Sequence, residues 1–125
     1  MVFYFGIVGS RRYFNEEIVR ETVRELFTIF EDELGIVSGG CKGVDSWAVD
    51  EAIKIGVPIN QIIVYRPILI NTRSFYEIVK RYYDRNKKIA KRCDFLIAFP
   101  AEDRKGGTES TIKYAKQFNK PIMIR

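Results

Sequence analysis

A dense run of β-branched and aromatic residues, Val2 to Val8, opens the chain and closes on Gly9. It lacks the polar alternation of a half-solvated strand. Both faces must therefore be covered, and a strand of that kind belongs at the centre of a sheet with layers above and below it. The following residues supply the first layer. Ile18, Val19, Thr22, Val23, Leu26, Phe27 and Phe30 recur at helical spacing behind Asn15, a cap residue, with Glu16 and Glu17 in the first turn, and this helix is expected to end near Gly35.

The pattern then repeats. Ile36-Val37-Ser38 is a short strand closed by Gly39-Gly40, and Val44, Ala48, Ala52 and Ile55 mark a second helix stopped by Gly56 and Pro58. Ile62 to Tyr65 gives a third strand. Pro67 to Arg73 is a connection whose Ile68-Leu69-Ile70 serves as a contact surface or packs on the core. Phe75, Ile78, Val79, Tyr82, Ile89 and Ala90 mark a long third helix, Asp94 to Phe99 a fourth strand, Ile112, Ala115 and Phe118 a fourth helix, and Ile122 to Ile124 a last strand. Strands alternating with helices at this spacing predict one Rossmann-like α/β domain over residues 1–125. Its expected form is a three-layer sandwich, with a central, mostly parallel five-stranded sheet, helices on both faces and a ligand above the carboxyl ends of the strands.

Composition narrows the chemistry. The 125 residues include no histidine, which removes His-based acid–base catalysis, Ser-His-Asp and Cys-His nucleophile pairs, and zinc sites with histidine ligands. Neither a metal nor a required cofactor is expected. Cys41 and Cys93 are read as reduced thiols. No secretory leader or membrane-length apolar run is present, so the expectation is a soluble, cytoplasmic protein. A formal charge of +5 favours anionic partners.

Three turns could carry that chemistry. Gly9, Ser10 and Arg11 fall where the first strand turns toward its helix, so backbone N–H groups can approach a phosphate, or the segment is a tight turn with solvated arginines. Gly39, Gly40, Lys42 and Gly43 form an open anion-binding turn directly before a helix, at a spacing that is not that of a P-loop. Asp45 either interacts with free N–H groups at that helix terminus or accepts hydrogen bonds from ribose hydroxyls. Gly106 and Gly107 open the fourth helix in the same way, and Thr108, Ser110 and Thr111 either donate to phosphate oxygens or cap the helix. Glu109 is a candidate acid–base or ribose-binding group, or a solvated first-turn glutamate. Arg85-Asn86 interrupts the third helix, and Asn86 shares one stripe with Phe75, Val79, Tyr82, Ile89 and Cys93. An amide facing inward needs partners, and these are loop backbone groups or a ligand. The charges Lys80, Arg81, Lys87, Lys88, Lys91 and Arg92 form a solvated face or track a nucleic-acid backbone.

Taken together, Gly9-Ser10-Arg11, Ser38 to Asp45, Arg85-Asn86, Asp94 to Pro100 and Gly106-Gly107-Thr108 resemble the SLOG superfamily over nearly the whole chain. Within it the chain is most similar to the small stand-alone YspA-like proteins, and more distantly to DprA/Smf and the LOG phosphoribohydrolases. The resemblance implies a nucleotide-type ligand held by the three turns. LOG enzymes hydrolyse the N-glycosidic bond of nucleoside monophosphates with a PGGxGTxxE motif. Here Ala101 to Lys105 separate Pro100 from Gly106-Gly107, and the position of the motif's glutamate is Thr111. The leading expectation is therefore a nucleotide-binding or nucleotide-sensing protein, with Asp45 or Glu109 near the sugar. Its rivals are a nucleotide N-glycosidase using one of those carboxylates and a DprA-like binder of single-stranded DNA. The last draws on the basic third helix and needs exposed aromatic platforms that the sequence alone does not place. The expected partner is a nucleotide or nucleotide-derived small molecule, with single-stranded nucleic acid as the alternative and homo-oligomerisation left open.

Overall fold

A computed structural model describes residues 1–125. In chain order the elements are β1 (Phe3–Gly9), α1 (Glu16–Phe30), β2 (Leu34–Ser38), α2 (Val44–Ile55), β3 (Ile62–Val64), α3 (Phe75–Arg92), β4 (Phe95–Phe99), α4 (Gly107–Gln117) and β5 (Ile122–Ile124). The five strands lie in the order β3-β2-β1-β4-β5 and every neighbouring pair is parallel. The opening apolar run is the central strand, as its two-sided hydrophobicity requires. No helix is long and apolar enough to cross a membrane.

The period-two alternation of the strands divides the core in two. Phe5 and Ile7 of β1, Leu34 and Ile36 of β2, and Ile97 and Phe99 of β4 pack with Val19, Val23 and Leu26 of α1 and Ala48 and Ala52 of α2. Val8, Val37, Leu96 and Ala98 point the other way, toward Ile89 and Ala90 of α3 and Ile112 and Ala115 of α4. The result is a Rossmann-like three-layer α/β sandwich. Because the chain leaves β1 toward β2 on one side and reaches β4 on the other, the carboxyl end of β1 is a topological switch point, where such sheets leave a crevice.

Local chemistry accounts for most boundaries. Asn15 caps α1 by accepting the Ile18 N–H, and Ser74 caps α3 by accepting that of Glu77. The first helix stops earlier than its sequence suggests. It ends at Phe30, Glu31 reverses the chain at φ 51°, one 3-10 turn follows, and Gly35 lies inside β2, paired with Tyr4. The C-terminal turn is made by a non-glycine residue in a left-handed conformation, so the glycine does not mark the helix end. Ile68, Leu69 and Ile70 are exposed in the β3–α3 connection and do not pack on the core.

The two faces meet where β1 ends. A Cβ added to Gly9 would lie closer than 3.0 Å to three side-chain atoms of Val44, the buried first residue of α2. We expect Gly9→Ala to cost about 1–3 kcal/mol by overpacking. Urea unfolding should show part of that loss recovered in Gly9→Ala/Val44→Ala relative to the sum of the single variants. Additive effects would mean that the two residues do not press on one another.

Candidate functional site

The loops following β1, β2 and β4 enclose a cavity of about 380 Å³ at the carboxyl ends of the strands. Gly9, Ser10 and Arg11 form one wall, and Gly106, Gly107, Thr108 and Thr111 form another. Cys41 and Asp45 line the β2 side, and α3 closes the space with Tyr82, Tyr83, Arg85 and Asn86. The helices α2 and α4 both begin at this end, behind Gly43 and Gly106, and neither has a side-chain cap. Their N-terminal N–H groups and dipoles favour negative charge there.

Arg85 and Asn86 fix the geometry. The Arg85 guanidinium, 7% exposed, donates through Nη1 to the Gly39 carbonyl at 2.6 Å and to that of Tyr65 at 3.4 Å. Its Nη2 donates to Cys41 Sγ at 3.5 Å, and its Nε to Asn86 Oδ1 at 2.9 Å. Asn86 in turn donates through Nδ2 to the Gly107 carbonyl and to Ser110 Oγ, at 3.3 and 2.6 Å. The inward-facing amide expected from the stripe is thus buried and links the two glycine turns. Gly39 is compact by necessity, since a Cβ there would fall closer than 3.0 Å to both Arg85 Nη1 and Asp45 Oδ2.

Asp45 does something other than cap its helix. As the second residue of α2 it turns its carboxylate back under the β2–α2 turn, where Cys41 N donates to Oδ2 at 3.3 Å and the backbone of Gly39 and Gly9 lies close enough to favour the ionised form. Burial raises its pKa from the ordinary 3.8 to about 6, against the lowering effect of that backbone and of Arg85. The cations around the cavity are Arg11, Arg12, Arg85 and Lys105, and Asp45 is the one carboxylate lining it. Arg11 is exposed, and its pKa is raised by the Cys41 thiol and the Tyr82 hydroxyl beside it.

The remaining candidates divide. Gly39, Gly40 and Lys42 line an adjoining depression together with Arg11, Cys41, Arg66 and Tyr82. Gly43 lines neither space and acts as the α2 N-cap. Ser110 is spent on Asn86 and on the Gly107 carbonyl, to which its hydroxyl donates at 2.8 Å. Glu109 points away from the cavity into a two-pronged pair with Arg104, with both contacts at 2.9 Å. The cavity also takes in residues that the sequence motifs do not assign to a site. Lys105 has only its neighbour Gly106 to mark it, Arg12 is the second arginine of the β1–α1 turn, Tyr82 belongs to the inward stripe of α3, and Tyr83 carries no signal of its own. On the outer side of α3, Arg66, Arg81, Arg85, Lys87, Lys88 and Lys91 line a basic groove that meets the cavity at Arg85.

Fold and cavity define a Rossmann-like α/β domain with an open space at the carboxyl ends of its strands. No family model matches the sequence, and no curated protein sequence does. Solved structures do match the fold. DNA processing protein A from Helicobacter pylori, whose structure is described for its single-stranded DNA binding mode, superposes with a TM-score of 0.73 at 19% identity. It covers 98% of this chain and 64% of its own. DNA processing protein A (DprA) from Streptococcus pneumoniae gives 0.72 at 19%, covering 98% of this chain and 50% of its own. The chain therefore spans between half and two thirds of the length of these two proteins. The C-terminal domain of a Pyrococcus furiosus hydrogenase gives 0.55 at 11% identity, covering 99% and 91%. At these identities the likeness is one of fold.

Two consequences can be measured. Folded Asp45 keeps its proton to about pH 6 whereas the unfolded residue releases it near 3.8, so the folded state binds more protons between those values. The stability it contributes is full below about pH 3.8 and is lost as the pH rises through 6. The stability difference between wild type and Asp45→Asn should drift against the wild type over that window and level off above it, and a pH-independent difference would contradict the assignment. Asn86→Leu should cost about 1–3 kcal/mol for each buried partner left without a hydrogen bond, seen as a lower urea midpoint. An unchanged midpoint would mean that the Asn86 bridge does not hold the two turns.

Proposed function

We propose that the cavity binds a nucleotide unit by its phosphate, and that a single strand of nucleic acid presents it. The observation that carries this reading is the presence of Tyr82 and Tyr83 in the same cavity as Arg11 and the uncapped helix starts. A phosphate is met by N–H groups and a guanidinium, and a base finds an aromatic surface within one nucleotide's reach. The basic groove meeting the cavity at Arg85 supports a ligand longer than one unit, because Arg81, Lys87 and Lys88 can follow a phosphate backbone. Phe75 and Tyr76, exposed at the start of α3, supply further stacking surface on that helix. The shared fold of the two DNA-processing proteins is consistent with this reading, as is the SLOG-like order of the sequence motifs, within which a YspA-like or DprA-like assignment belongs.

A free mononucleotide is the main rival, because the cavity alone has the size for one. An N-glycosidase needs a carboxylate at the sugar, and Asp45 is the residue that could serve, with its pKa near 6. Its carboxylate is buried and already accepts the Cys41 N–H, so we expect no release of base.

Fluorescence anisotropy with labelled (dT)20, competed by deoxythymidine 5′-monophosphate, decides among these. The strand should bind more tightly than the mononucleotide, with affinity falling steeply as salt rises. Tyr82→Ala should weaken it by about 1–3 kcal/mol, the value of one base stacked on an aromatic ring. Lys87→Gln/Lys88→Gln should flatten the salt dependence while leaving mononucleotide binding intact. Equal affinities for strand and mononucleotide would favour the mononucleotide reading, binding of neither would reject both, and chromatographic detection of free base, lost in Asp45→Asn, would establish the hydrolase.

A further inference from the structure

Arg12 lines the cavity, yet its charge is already taken. Nη1 and Nη2 donate to Asp103 Oδ2 and Oδ1 at 2.9 and 2.8 Å, and Nη2 also donates to the Lys105 carbonyl at 2.9 Å. Asp103 Oδ1 accepts the Lys105 N–H at 3.1 Å as well. This pair ties the β1–α1 turn to the β4–α4 loop just before Gly106, beside the uncapped start of α4. Both side chains are about half exposed, at 57% and 46%. Exposed pairs of this kind hold weakly against competitors, because water screens them and long side chains lose freedom in making them.

We propose that Arg12 is a phosphate-binding residue held in reserve by Asp103, and that the group which takes it over is a phosphomonoester. This rests on the reading of the cavity as a phosphate site. The competition is between anions for one guanidinium. A carboxylate offers one charge and two oxygens. An internal phosphodiester likewise offers one charge and two free oxygens, so exchanging it for Asp103 gains little. A phosphomonoester near neutral pH carries between one and two charges on three acceptor oxygens, and it wins the exchange. Arg12 then adds a two-pronged contact to the phosphate that the α4 N-terminus receives, and Asp103 swings into solvent. The same chemistry is offered by a free mononucleotide and by the phosphorylated end of a strand.

Calorimetry at fixed ionic strength on wild type, Asp103→Asn, Arg12→Gln and the double variant tests this, with deoxythymidine 5′-monophosphate, 5′-phosphorylated (dT)12 and (dT)12 lacking a terminal phosphate as probes. Asp103→Asn should tighten binding of the two phosphomonoester probes about two- to fivefold, the scale of an exposed ion pair, and the gain should vanish when Arg12 is also replaced. Arg12→Gln should weaken those two probes and leave unphosphorylated (dT)12 unchanged. If only one of the phosphomonoester probes follows this pattern, it identifies the source of the phosphate. Asp103→Asn binding no more tightly than wild type would overturn the reserve role, and so would an equal gain in the Arg12→Gln background, which would reflect net charge alone. Equal weakening of all three probes by Arg12→Gln would overturn the phosphomonoester assignment. Binding of no probe by wild type or any variant would reject the cavity reading itself, whereas the preceding outcomes leave that reading standing.

Discussion

The site depends on one buried guanidinium. Arg85 is desolvated on α3, and a cation so placed must find acceptors or destabilise the fold. Its acceptors are the Gly39 and Tyr65 carbonyls beside β2 and the Asn86 amide oxygen, and the opposite end of that amide reaches the start of α4. One helix thus joins the turn on the β2 side of the sheet to the turn on the β4 side. Two turns from opposite sides of a switch point are held at a fixed spacing by side chains of the chain itself, which is pre-organisation in the physical sense.

Electrostatically the cavity combines a surplus of cations with one difficult anion. Asp45 accepts the Cys41 N–H at 3.3 Å, and the nearby backbone of Gly39 and Gly9 favours its ionised form. Its charge is opposed by burial and supported by Arg85, and its pKa near 6 places the change of state just below neutrality. At neutral pH the carboxylate is largely ionised, and it partly offsets the field of Arg11, Arg12, Arg85 and Lys105. A more acidic medium neutralises it and leaves the cavity more attractive to anions.

Much of this architecture is legible in the sequence because it is periodic or local. The central position of Val2–Gly9 follows from apolarity on both faces, and the burial of Asn86 follows from a stripe at steps of three and four. The glycine turns were recognisable because glycine before a helix has a restricted set of uses. The unreadable parts are long-range pairings. Nothing local tells that Arg12 meets Asp103, 91 positions away, or that Arg85 reaches the Gly39 carbonyl, 46 positions away. Tyr82 lies on the inward stripe of α3 and yet lines the cavity, since periodicity gives a direction on a helix but not whether that direction ends in core or in cavity. The end of α1 at Phe30 is hidden for a similar reason: Gly35 has the composition of a helix stop, while its place in β2 is decided by pairing with Tyr4.

Two helices begin at the cavity behind glycines, with no side chain satisfying their first N–H groups. Those donors belong to the main chain, and every residue type except proline carries one. Truncating side chains one at a time therefore leaves these N–H groups in place. Where the turns leave room for a side chain, as at Gly107, sequence change need not alter the path of the backbone, whereas Gly9 and Gly39 leave none. The weak points of the cavity are the few residues that hold that path, and Arg85 and Asn86 among them are buried.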